Sequence, residues 1–330
     1  MVILKLAWSC EFQNHHTRIS RTNRRGPAHW CRPFVVSFCL IAAAPRARYP
    51  PTDFIRDHTM PHWTPDDINW AAFDASKLDP DTLMVVKAAA MVERNAGDYT
   101  AYLSTVFKGD DEFLSIAAEW QIEEVQHGDM LGHYAELADP NFNFAARFKK
   151  FTDIYQVPQD VAASVRGSRT GELLARCIVE TGTSSFYSAL RDATDEPVLK
   201  DLCHRIAGDE FRHYKTFYVF MKRYIQQEGV GIFRRAMVAA GRIKETDDDE
   251  LASAWHAAND PEGMEYDLAR CNREYAGRAY AVYRQKHAER AVNMVLKVVG
   301  FDPQGWLGAR AKAFAVKKMQ SRVAQMKPAA

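Results

Sequence analysis

The sequence contains Glu-x-x-His twice and only twice, as Glu124-Val125-Gln126-His127 and Glu210-Phe211-Arg212-His213, 86 residues apart from Glu to Glu. Side chains three apart on an α-helix share a face, so each motif presents a carboxylate and an imidazole in one direction. Both faces continue as largely apolar stripes: Phe113, Ala117, Trp120, Met130 and Tyr134 about the first, and Cys203, Ile206, Phe217 and Phe220 about the second. A carboxylate aimed into such a core is costly unless something offsets its charge. Glu93 lies 31 residues before Glu124, and Glu180 lies 30 before Glu210. The chain therefore reads as two copies of a Glu helix followed by a Glu-x-x-His helix. Brought together, four carboxylates would neutralise two divalent cations, and mixed carboxylate and imidazole ligation suits iron or manganese better than calcium or zinc. A single motif of this kind is more often a surface pair or a capped core histidine; the duplication with matched glutamates is what points to metal. Taken singly, Glu93 and Glu180 have another reading, as buried partners of arginines such as Arg94 or Arg176.

Helices must deliver these side chains to one place. From about Asp79 onward the chain reads as almost all helix, with no convincing period-2 strand. Asp81 is expected to cap a helix running to about Phe107, and Asp110 a second one ending near residues 138–140. Some thirty residues follow with Pro140, Pro158 and Gly167 as breakers. A third helix is expected over 170–192, and a fourth with Pro197 in its first turn running to Gly229. Two helix pairs joined by one long crossover make an all-α four-helix bundle, placed at 60–229. Residues 230–330 are expected to add three or four helices, broken near Asp247, Pro261 and Gly300–Pro303.

Charge narrows the function classes. A net charge of +1 over 330 residues gives no global case for nucleic-acid binding. The balance is uneven, however. Residues 1–59 hold nine Lys/Arg against three acids, a net of +6, so the remainder from Met60 carries −5. This basic arm has one short apolar run at 34–47, too short to span a bilayer, and an unusually long stretch ahead of it for a signal peptide. A leader, a transit peptide and upstream sequence before a true start at Met60 are the three readings, and the last is preferred. Three of the six cysteines lie in the arm, and Cys177, Cys203 and Cys271 in the body show no Cys-x-x-Cys spacing, which argues against a disulfide framework, a zinc finger or a rubredoxin module. Reduced, buried thiols in a cytoplasmic protein are the expectation. After Asp302 come six Lys/Arg and no acid. That tail is read as a docking face for an acidic carrier, an acidic electron donor or a membrane surface, with a solvated helix face as the plain alternative.

Around the two motifs the sequence resembles the ferritin-like di-iron carboxylate proteins, and among them the soluble acyl-acyl-carrier-protein desaturases. The resemblance covers about 80–225 and is carried by "WQIEEVQHGD" and "DEFRH". It implies that Glu93 and His127 ligate one iron, Glu180 and His213 the other, and that Glu124 and Glu210 bridge both. It also implies that Glu123 and Asp209 stand behind the ligand histidines and orient them. Trp120 matches a family Trp near the metals, Thr183 a Thr beside the oxygen-binding position, and Tyr99 also has a counterpart. Core packing accounts equally well for Trp120 and Tyr99, and filling of a helix face for Thr183.

The activity so implied is O₂-dependent removal of hydrogen from an unactivated C–H bond of a carrier-bound or otherwise hydrophobic acyl chain. A homodimer and an external, ferredoxin-like electron donor are the family expectation, since the chain has no flavin, nicotinamide or iron–sulfur fingerprint of its own. The alternatives are a ferroxidase or peroxide-scavenging protein, and an N-oxygenase with an added histidine, for which His133 and His204 are the candidates. The pattern Asp-Glu-x-Arg-His also occurs in bacterial multicomponent monooxygenases, so it marks the di-iron class better than the reaction. The C-terminal third does not follow the plant desaturases.

Overall fold

The computed structural model describes residues 62–157, 161, 163–244 and 249–326. The basic arm and the preferred start at Met60 lie outside these residues. Three single 3-10 turns between Pro65 and Lys77 lead into helices, and no strand occurs among the described residues.

Helix α1 (Pro80–Arg94) begins with proline at its first position, where the missing N–H costs nothing, and is capped by Asp79, whose carboxylate accepts from Thr82 N at 2.8 Å. The cap is thus two residues earlier than the expected Asp81. The single helix expected to Phe107 is two helices. At Asn95 the backbone N–H turns to Val92 O, 3.2 Å away and only three residues back, and a separate helix, α2 (Ala96–Val106), follows.

Helix α3 (Asp111–Ala138) is capped by Asp110 through Phe113 N. The crossover is not structureless. It contains α4 (Phe144–Ile154), whose Phe144, Phe148 and Phe151, with Tyr155 beyond its end, form one aromatic stripe. Helix α5 (Arg169–Ala193) is capped by Ser168. Helix α6 (Pro197–Glu228) is capped by the fully buried Glu196, which accepts from Val198 N and Leu199 N and also from Asp74 N. It ends at Gly229, whose φ of 65° is the left-handed conformation glycine adopts without strain.

Helices α1, α3, α5 and α6 form the bundle: α1 packs on α3, and α5 packs along α6. Five further helices follow, where three or four were expected: α7 (Ile232–Lys244), α8 (Asp249–Asn259), α9 (Leu268–Ala281), α10 (Gln285–Val299) and α11 (Trp306–Met326). The additional break falls between α9 and α10 at Val282–Arg284, which holds neither Gly nor Pro to announce it. Helix α8 packs against α1, and α10 against α5, so the C-terminal helices brace the outside of the bundle. No helix among the described residues is long and apolar enough to cross a membrane.

Candidate metal centre

One close approach sets the geometry. Gly128, directly after His127, lies so near α1 that a Cβ there would sit 2.5 Å from Arg94 N and 2.7 Å from Arg94 Cα. The missing side chain lets the last turn of α1 press on α3 and sets Glu93 beside Glu124. From α5 comes Glu180, and from α6 come Glu210 and His213. All six side chains are buried.

They form two overlapping groups whose ligand atoms lie within 4.8 Å of one another: Glu93, Glu124, His127 and Glu210, and then Glu124, Glu180, Glu210 and His213. Glu124 and Glu210 belong to both. His127 Nδ1 stands 3.2 Å from Glu210 Oε1, and His213 Nδ1 stands 2.9 Å from Glu124 Oε1 and 3.7 Å from Glu180 Oε2.

Outside this cluster each imidazole is held by an acid from the opposite helix. His127 Nε2 donates to Asp209 Oδ2 at 3.0 Å, and His213 Nε2 donates to Glu123 Oε2 at 2.6 Å. Arg212 ties the two acids together, giving one N–H to Asp209 Oδ1 and another to Glu123 Oε2, both at 2.7 Å. Trp63 Nε1 donates to Asp209 at 2.7 Å, and its ring stacks on His127 with centroids 6.0 Å apart. Burial by itself would raise both acids. The hydrogen bond and charge of His213, joined by Arg212, bring Glu123 down to about 2. Those of His127, joined by Arg212 and Trp63, hold Asp209 well below the usual carboxylate range. Both acids are therefore ionised at neutral pH and fix the imidazole N–H on Nε2, which turns each Nδ1 lone pair inward.

That tautomer gives a test of whether metal ions fit. Four inward atoms are enclosed without a hydrogen-bond partner among the described residues: His127 Nδ1, Glu210 Oε1, His213 Nδ1 and Glu124 Oε1. They face each other in pairs at the distances above, and with the imidazole N–H held on Nε2 lone pair meets lone pair unless a proton or a cation lies between them. Buried acceptors are not left so without cost. A cation between them satisfies each pair, and an all-oxygen-and-nitrogen donor set suits iron or manganese. The charges agree. Burial first, and then a neighbouring carboxylate, pushes Glu93, Glu124 and Glu210 above the usual range. The acids around them outweigh burial and raise both imidazoles. In the protein alone, only protons can balance the cluster. The residues present fit a pair of metal ions.

The arginine alternative is not what holds Glu93. Arg94 pairs with Asp129 at 2.7 Å, and Arg176 makes no direct bond to Glu180 among the described residues, although the charge of Glu180 is one of those that raise its guanidinium. Glu93 is instead fixed by Tyr187, whose hydroxyl donates to Oε1 at 2.6 Å.

A cavity of about 90 Å³ borders the carboxylates, walled by Trp120, Thr183, Val92, Val179, Phe186 and Leu251 among others. The Thr183 hydroxyl donates to Glu210 Oε2. Trp120 packs edge-on against Phe217, and its Nε1 has no partner among the described residues. Tyr99 sits further out, donating to Glu250 Oε2 at 2.6 Å. His133 packs on Trp70 and His204 lies near Arg191, so neither joins the cluster.

Sequence reasoning missed Trp63, Arg212 and the Tyr187–Glu93 bond. Arg212 had a signal, since a lone arginine inside "DEFRH" on a buried face needs an anion. Trp63 had none, being 146 residues from Asp209.

An all-α, ferritin-like bundle with a buried carboxylate and histidine cluster defines a class of redox protein. Within it, a family model described as fatty acid desaturase matches residues 41–243. The chain belongs to that family, which makes it a desaturase-like oxidoreductase. No curated protein matches the chain.

Proposed function

We propose that the protein is an O₂-dependent di-iron oxidoreductase that removes hydrogen from an unactivated C–H bond of a fatty acyl chain. The observation that carries this reading is the set of four enclosed, inward-facing atoms, two His and two Glu, in two overlapping groups that share Glu124 and Glu210. Glu93 and His127 would hold one iron, Glu180 and His213 the other, with Glu124 and Glu210 between them. A bound iron pair supplies the oxidising power toward C–H bonds that no amino-acid side chain has.

The chain's own residues do the rest. Asp209 and Glu123 keep the imidazoles in the ligating tautomer, and Arg212 keeps both acids ionised. Val92, Val179, Phe186 and Leu251 give the alkyl group a dry wall beside the carboxylates. Thr183 holds a proton on Oγ1 at that wall, in contact with Glu210. Electrons come from an external donor. The exposed face of α11, where Arg310 and Lys317 stand beside Trp306 and Phe314, is the surface we assign to an acidic one. A Lys317→Glu variant that is reduced as fast as wild type would remove that assignment.

The test of the reaction is elemental analysis of protein expressed with iron, followed by O₂ consumption with acyl substrates under reducing conditions. About two irons per chain, lost in Glu210→Ala, and O₂ uptake that depends on the acyl chain are expected. Less than about half an iron per chain, with no other metal in its place, defeats the reading.

A further inference from the structure

The cavity beside the carboxylates, about 90 Å³, is smaller than the roughly 300 Å³ at the low end of ligand pockets. A fatty acyl chain needs more room than that closed space gives, and two larger spaces adjoin it. One, of about 350 Å³, meets it across Tyr99, Arg176, Arg242 and Glu250. That boundary is polar and charged, and an alkyl chain threaded through it would desolvate charged groups without replacing their partners. The other, of about 570 Å³, lies between the start of α1, the end of α5 and the end of α9, and reaches the surface at the exposed Arg273 and Ala281.

This second space has one wall residue in common with the inner cavity among the described residues, Phe186. On each of three helices the inner wall passes into the outer one within a turn: from Ala89 to Val85 on α1, from Phe186 to Leu190 on α5, and from Tyr275 to Ala279 on α9. Residues four apart share a helix face, so the two spaces are successive parts of one trough. Its wall at the junction is mostly apolar, and its rim is polar, with Arg278 bonded to Asp81 and Glu274. The Phe186 ring stands across this trough, 4% exposed and edge-on to Tyr187 with centroids 5.0 Å apart. Tyr187 is pinned by its bond to Glu93, whereas Phe186 is held by packing alone, and the outer pocket has room to receive its ring.

We propose that Phe186 is the movable partition that admits the acyl chain. Its ring turns out into the surface pocket, and the chain then lies in the trough between α1, α5 and α9. The reacting part reaches the carboxylates, and the carrier-linked end stays at the polar rim. This rests on the acyl-chain reading above and deepens it: entry is by the apolar route, and Phe186 sets how readily a chain is taken up. A closed cavity that opens only in a minor state slows uptake by the fraction of time it is open.

The experiment is stopped-flow mixing of the full-length protein as isolated, without reductant, with S-octanoyl pantetheine. Trp120 lines the inner cavity, so its fluorescence reports arrival of the chain. Phe186→Ala is expected to raise the association rate constant at least about tenfold, since a minor open state is typically about 0.1–10% populated. Phe186→Leu, which keeps the core more nearly filled and serves if the alanine variant does not fold, is expected to raise it several-fold. Leu251→Ala widens the inner cavity at a wall the outer pocket does not share. It is expected to leave the association rate as in wild type and to change dissociation only. Helix content and thermal melting of each variant are measured alongside.

A wild type too slow to bind while the Phe186 variants bind is the same result at its limit. Association at the wild-type rate in folded Phe186→Ala or Phe186→Leu overturns the proposal, because the chain then enters elsewhere. So does Leu251→Ala that speeds association as much, because cavity volume and not a partition is then what matters. Failure of wild type and of every folded Phe186 variant to bind the probe also overturns it. None of these outcomes uses iron content or O₂ uptake, so the inference and the proposed reaction fail separately.

Discussion

Two buried clusters in this molecule combine histidine with acids at metal-binding distances, and they are built oppositely. In the bundle, four carboxylates and two imidazoles turn inward and leave four atoms without partners. In the C-terminal helices, His256, Asp260 and Cys271 also lie within 4.8 Å of one another. There the protein has already supplied the counter-charge. Asp260 Oδ2 accepts from His256 Nδ1 at 2.6 Å, and both its oxygens accept from Arg270. No side-chain atom of that trio is orphaned. Residue type and proximity are the same in kind; what differs is whether the charge is closed. In the bundle Arg212 closes the outer acids only, and the inner ones stay open.

The comparison breaks most visibly on metal content. His256→Ala should leave it unchanged, because that cluster has no call for a cation. Asp209→Asn should weaken metal binding by about 10–100-fold, because the amide no longer fixes the His127 tautomer. Metal titration of both variants, each checked for helix content, decides it. A metal lost with His256 and kept with Asp209→Asn would reverse the roles assigned to the two regions.

The bundle cluster also depends on a close backbone approach between helices, whereas at the C-terminal one His256 and Asp260 sit one turn apart and a long side chain, Arg270, reaches them from α9. Gly128→Ala would drive a methyl group into the Arg94 backbone. It should cost about 1–3 kcal/mol of stability, by denaturant unfolding, and lower metal affinity as Glu93 is pushed away. Unchanged stability would mean that α1 and α3 separate freely, and that their contact does not set the site.

How much of this was legible in sequence follows from the range of each interaction. Asp110 at a helix start, Pro197 in a first turn and Gly229 at a helix end are local signals, and they fall where α3 and α6 begin and end. The inward side chains Glu124, His127, Glu210 and His213 are set by a three-residue spacing, and Glu93 and Glu180 by the repeat. The break at Asn95 was not legible, because no proline marks it and the helical pattern runs on across it. Helix α4 had a signal, the Phe144, Phe148 and Phe151 stripe, but its 11 residues lay inside a segment bounded by breakers. The α9–α10 corner had none. Trp63 and Tyr187 act through contacts 146 and 94 residues distant, which no local pattern encodes.

The smallest expected effect tests charge closure at Asp260. Burial alone would raise this carboxyl, but the hydrogen bonds from Arg270 and His256 bring it below its ordinary value. A carboxylate depressed in the folded state stabilises the protein above its unfolded pKa, about 4, and that contribution is lost as pH falls through the folded value. Asp260→Asn keeps the shape and removes the charge, so it should cost about 1–2 kcal/mol at pH 7. Its difference from wild type should stay level above about pH 4 and shrink below it. Urea unfolding of both proteins at several pH values between about 3 and 7 measures this. A difference that does not change with pH would mean that Asp260 contributes by shape and hydrogen bonding alone. The contrast with the bundle would then rest on hydrogen-bond satisfaction and not on charge.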